Sequence, residues 1–203
     1  MASAGQWRSP HRSPVPLQVR AFDNLRFIRE TMERATAFTA ISGWGLLAVG
    51  LTACGTAVLT WRRPPERWLP LWLAEAGLAF LLAFLSSLRK ARAARIPLLS
   101  MPARRFALSF SPPMAVGALL TRVLWRAGQF QVIPGAWLLL YGTGIVTGGA
   151  FSIRVVPLMG LCFMTLGGLT LFLPAAWGCL MLATGFGGLH VIFGVLILRR
   201  YGG

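Results

Sequence analysis

The sequence predicts an all-α fold: a polytopic integral membrane bundle of six transmembrane helices with both ends in the cytoplasm, preceded by an amphipathic helix. Three observations predict it. The chain of 203 residues is 56% hydrophobic and only 12% charged, against about 25% charged in a soluble domain. Its apolar residues fall into six runs near the ~20-residue length that crosses a bilayer. Its basic residues cluster between those runs, mostly on one side, as topology signals do.

Residues 1–20 contain Arg and Ser, lack acids, and carry Pro10, Pro14 and Pro16. Those prolines break the amphipathic helix that a transit peptide needs, so the stretch reads as a disordered cytoplasmic tail. No cleavable leader is expected, because the first apolar run begins near Ala37. Over 21–36, Phe22, Leu25, Ile28 and Met32 recur at helical spacing. Arg26 with Glu30, Arg29 with Glu33, and Glu30 with Arg34 pair on the polar side, and Asp23 is the candidate N-cap. Such a helix lies on the inner leaflet or docks a partner. The transmembrane domain then occupies 37–203.

Its spans are expected at 37–61, 69–88, 106–125, 133–151, 155–173 and 175–198. The third is interrupted by Pro112 and Pro113, which predicts a short or kinked span. With six spans, fifteen of the 20 basic residues fall on the side of the two termini and the 89–105 loop. That threefold bias assigns the side to the cytoplasm. Trp61, Trp68, Trp72, Trp125, Trp137 and Trp177 then all fall at the outer ends of their spans, as one interfacial belt. Helices 2, 4 and 6 each open with a proline closely followed by tryptophan: Pro70 with Trp72, Pro134 with Trp137, Pro174 with Trp177.

The net charge of +15 could suggest nucleic-acid binding. Between membrane-length runs, however, these cations are better matched to anionic lipid headgroups on the cytoplasmic side. No nucleic-acid partner is expected. Cys54, Cys162 and Cys179 lie inside apolar runs without CxxC spacing and read as packing residues.

Helix 1 has Gly43 and Gly50, and helix 5 has Gly160 and Gly167, each pair followed by a Leu-Thr step. With the proline–tryptophan entries, this pattern of hairpins resembles the HdeD-type (acid-resistance) membrane protein family. The likeness rests mainly on Gly160 through Gly194 and is looser over helices 1–2. It also resembles small six-helix inner-membrane proteins of bacteria. The resemblance implies a multi-pass protein of the bacterial inner (cytoplasmic) membrane and supplies no catalytic residues.

Ionisable groups inside a bilayer are costly and mark candidate sites. Glu75 lies roughly 9 Å inside the outer end of helix 2, and Arg122 sits about one turn below the outer end of helix 3. Glu75–Arg122 is the expected ion pair, and Tyr141, near the same depth with Thr143 and Thr147, could complete a polar site. His190 shares a face with Gly187 and Gly194, so it is expected in a close helix contact. A haem or metal role for it lacks a second ligand, since the other histidine, His11, is in the tail. No cofactor or metal site is expected. Gly144 and Gly148 form a GxxxG pair that packs within the bundle or against another subunit.

Walker and Rossmann spacings, a Ser–His–Asp set and a paired-acid metal site are all absent. The expected function is therefore non-catalytic: a structural or accessory subunit, or a stress-related membrane component, with other membrane subunits or further copies of itself as partners. The alternative is a small transporter or channel working around Glu75, Tyr141 and the proline-interrupted helix 3.

Overall fold

The computed structural model describes residues 22, 24, 25, 28, 41–95 and 100–201. Contacts divide the chain into two units, Met1–Thr36 and Ala37–Gly203. In the first, Phe22, Asn24, Leu25 and Ile28 are helical and exposed. The expected tail over 1–20 and the remainder of the amphipathic helix over 21–36 lie outside the described residues.

The second unit is all-helical among the described residues. Its helices are α1 (Gly43–Thr60), α2 (Pro65–Ala93), α3 (Met101–Arg126), α4 (Phe130–Gly149), α5 (Val155–Phe172) and α6 (Ala175–Tyr201), and all six are long and apolar enough to cross a membrane. Ser42 caps α1 by accepting from the Gly45 amide at 3.3 Å. The expected opening of helix 2 at Pro70 is corrected: Pro70 lies inside α2, and Pro65 sits in its first turn, where its missing N–H costs nothing. α3 stops in a Schellman turn: Gly128 takes φ +68°, and the Gln129 and Gly128 amides bond back to Leu124 and Trp125.

Pro112 and Pro113 do not shorten α3, which runs unbroken through both of them. The expected start at 106 is corrected to Met101. A proline inside a helix leaves the carbonyl four residues earlier without its donor, and for Pro113 that carbonyl belongs to Ser109. Thr147 on α4 donates to it at 3.0 Å. A neighbouring helix thus satisfies the group that the proline orphans.

α2 packs on α1, α1 on α6, α6 on α4 and α5, and α4 on α3 and α5. α2 and α3 therefore lie at the two ends of the packing order. Their outer faces are uncovered: Leu73, Phe80, Leu81 and Phe84 on α2, and Leu108, Leu119 and Val123 on α3, are at least half exposed. Apolar faces of that extent suit lipid or a partner helix rather than water.

Two glycine seams hold the centre. Gly43 and Gly50 of α1 run antiparallel to Gly187 and Gly194 of α6. A Cβ on Gly43 would stand 2.8 Å from the Gly194 carbonyl oxygen, and one on Gly50 2.8 Å from that of Gly187. Gly135 and Gly142 of α4 face Gly167 and Gly160 of α5 in the same way. Bare backbones in contact gain dispersion along the whole seam, which is what small residues contribute where no hydrophobic effect operates.

Gly144 and Gly148, on another face of α4, receive Phe110 and Phe106 of α3. Of the two settings open to this pair, the structure places it inside the bundle. At the end opposite the six belt tryptophans, the Lys90 ammonium donates to the carbonyls of Ile41 and Tyr201 at 3.1 and 3.4 Å. The start of α1 and the ends of α2 and α6 thus lie together.

Candidate functional site

Three polar groupings among the described residues are candidates for a site. The first is the α1–α2 seam. Thr52, Thr56 and Thr60 stand at four-residue spacing on one stripe of α1. Opposite them on α2 are Glu75 and Trp72, three residues apart. Thr52 Oγ1 donates to Glu75 Oε1 at 2.8 Å, Thr56 Oγ1 donates to Oε2 at 3.2 Å, and Trp72 Nε1 donates to Thr60 Oγ1 at 3.1 Å. Glu75 is buried, with 7% of its surface exposed.

The expected Glu75–Arg122 pair does not form. Arg122 is exposed on α3, which packs on α4, whereas α2 packs on α1. Charge matching was the wrong guide, because hydroxyls one helical turn apart on the adjacent span satisfy both carboxyl oxygens. The signal in the sequence was the spacing of Thr52, Thr56 and Thr60.

The second place is the centre of the bundle. Tyr141 Oη and His190 Nε2 are 2.8 Å apart. His190 is buried and flanked by Gly187 and Gly194, which bring α6 onto α1. Tyr141 therefore bonds His190 and not Glu75, and the expected polar site of Glu75, Arg122 and Tyr141 does not assemble. Thr143 and Thr147 also stay apart from it, donating to the carbonyls of Leu139 and of Ser109, Thr143 and Gly144.

Aromatic rings enclose the Tyr–His pair. Phe163 lies 4.8 Å and Phe186 5.1 Å from the Tyr141 centroid, and Phe110 stands edge-on at 5.9 Å. Immediately before His190, α6 becomes π-helical over Ala183–Leu189, a local widening that often marks functional sites. Among the described residues His190 Nδ1 is a buried polar atom without a hydrogen-bond partner.

The third place is a cleft of about 220 Å³ at the tryptophan end. The α1–α2 turn supplies Arg62 and Arg63, α2 supplies Trp68 and Trp72, and α4 supplies Gln131. Thr60 and Cys179 reach its floor, with the Cys179 thiol donating to the Ala57 carbonyl at 3.4 Å. Trp68 meets Trp137 of α4 edge-on at 6.2 Å, so tryptophans from two expected belt positions touch.

Among the described residues no group of three His, Cys, Asp or Glu side chains is placed to hold a metal ion. Comparison with protein-family models, curated proteins and solved structures gives no match.

Proposed function

We propose that this chain is a non-catalytic multi-pass protein of a bacterial inner membrane, with both ends cytoplasmic. In this reading it serves as an accessory or stress-related component of a membrane assembly. One observation carries the reading: Glu75, Tyr141, His190 and Thr147 are bonded to neighbouring helices, while α2 and α3 present long uncovered apolar faces. A bundle that spends its polar groups on its own packing and leaves two flanking helices bare is built to be held among lipids and partner helices. The charge bias and the tryptophan belt support the orientation.

Purification from native membranes in a mild detergent tests it. The expected result is a particle of fixed stoichiometry above the 22.1 kDa of one chain, with photo-crosslinkers at Phe80 and Leu119 joining it to a neighbour. A lone chain without crosslinks overturns the reading.

The transporter alternative keeps one observation of its own. The threonine stripe on α1 runs from the cleft floor at Thr60 to the buried carboxyl of Glu75. In proteoliposomes it requires an ion or proton flux that Glu75→Gln abolishes without lowering thermal stability.

A further inference from the structure

The α1–α2 connection is built against local preference. Thr60 to Arg63 form a type II turn: Trp61 has φ −53° and ψ 124°, Arg62 has φ +55°, and the Arg63 amide donates to the Thr60 carbonyl at 3.0 Å. The third position of such a turn belongs by preference to Gly or Asn, because a side chain there crowds its own backbone. Here it carries arginine, followed by a second arginine. Both line the cleft, and both are exposed.

The cleft has the chemistry of an anion site. Among the described residues no Asp or Glu lines it. On the floor, Thr60 Oγ1 already donates to the Thr56 carbonyl and accepts from Trp72 Nε1. Gln131 Nε2 donates to Gln129 Oε1 at 2.7 Å, so the charged groups open to a ligand among the described lining residues are the two guanidiniums. Two adjacent guanidinium forks match the oxygens of a phosphate, and the rings of Trp68 and Trp72 supply an apolar wall. The volume suits a headgroup-sized ligand rather than a drug-sized one. The tryptophans around it mark the depth of the headgroup region if the helices span a membrane.

We propose that this cleft binds a phosphate group, brought to it by the headgroup of an anionic phospholipid or by a soluble phosphate. The phosphate chemistry goes beyond the accessory-subunit reading and does not require a partner on α2 or α3. Only the lipid source depends on membrane insertion.

The test uses the full chain in detergent and native mass spectrometry. Phosphatidylglycerol and phosphatidylcholine with the same acyl chains compete for it, and inorganic phosphate is tested in a separate arm. Each cation near a headgroup is worth about a fivefold change in binding. The wild-type chain should therefore retain phosphatidylglycerol over phosphatidylcholine by about tenfold or more. R62Q/R63Q should lose that preference, and R199Q/R200Q, at the other end of α6, should keep it.

Arg62→Gly relieves the turn while removing a cation. It should bind the anionic lipid less well with no fall in unfolding temperature, which separates a lost site from a lost fold. If millimolar inorganic phosphate displaces the lipid or binds alone, the site takes a soluble phosphate. If it does neither while phosphatidylglycerol stays bound, the source is the lipid. Two results overturn the proposal: a wild-type chain that neither prefers phosphatidylglycerol nor binds phosphate, or an R62Q/R63Q chain that keeps the preference.

Discussion

Replacing Gly142 by alanine strikes the α4–α5 seam at its centre. The added Cβ would lie 2.7 Å from the Gly160 carbonyl oxygen and 2.8 Å from the Met164 amide nitrogen. Both are backbone atoms of a helix and cannot rotate aside, so the two helices must part by about 0.7 Å to restore van der Waals distance. A gap of that size forfeits a quarter to a half of each contact along the seam, and overpacking of this kind costs about 1–3 kcal/mol.

Gly168→Ala, one residue beyond Gly167 on α5, is the matched control, because a Cβ there meets nothing within 4 Å. It should gain about 0.5–1 kcal/mol from helix propensity alone. Near 200 residues, 1 kcal/mol moves the unfolding temperature by about 2–4 °C. Gly142→Ala should therefore melt about 2–12 °C below the wild-type protein, and Gly168→Ala at or slightly above it. Scanning fluorimetry of tryptophan emission in mild detergent reads both. Two alanine variants that melt together would refute the close-backbone account of the seam.

The carboxyl of Glu75 depends on its threonines, so Thr52→Val with Thr56→Val should destabilise the protein by about 1–3 kcal/mol. Adding Glu75→Leu should recover part of that loss, as measured by the same melts, whereas Arg122→Ala should be close to neutral. Thr147→Val should cost about 0.6–1.7 kcal/mol, and much less when Pro113→Ala restores the donor to the Ser109 carbonyl; additivity in that double-mutant cycle would disprove the bridge. Tyr141→Phe leaves His190 Nε2 without its partner and should cost about 1–2 kcal/mol, with unchanged stability counting against that bond. Reporter fusions after Arg95 should read as cytoplasmic and those after Arg63 or Gln129 as external; the opposite pattern would reverse the proposed orientation.

The number, approximate extent and type of the helices were legible in the sequence because they depend on properties summed along the chain. Apolar length sets each span, and the composition of a segment acts on turns only a few residues away, although the start of α2 was expected at Pro70 and lies at Pro65. The seven-residue spacing of Gly43 with Gly50 and of Gly160 with Gly167 was equally plain, and so was the use of Gly187 and Gly194 as a packing face. What spacing cannot contain is the identity of the facing helix. α1 meets α6 and α4 meets α5, and those pairings follow from the global fit of bare backbones. The same reason governs the polar groups. Glu75 is served by Thr52 and Thr56, Tyr141 by His190, and the carbonyl orphaned by Pro113 by Thr147. A buried polar atom needs any donor or acceptor within about 3 Å, not a charge of opposite sign, and only the packed helices decide which one stands there.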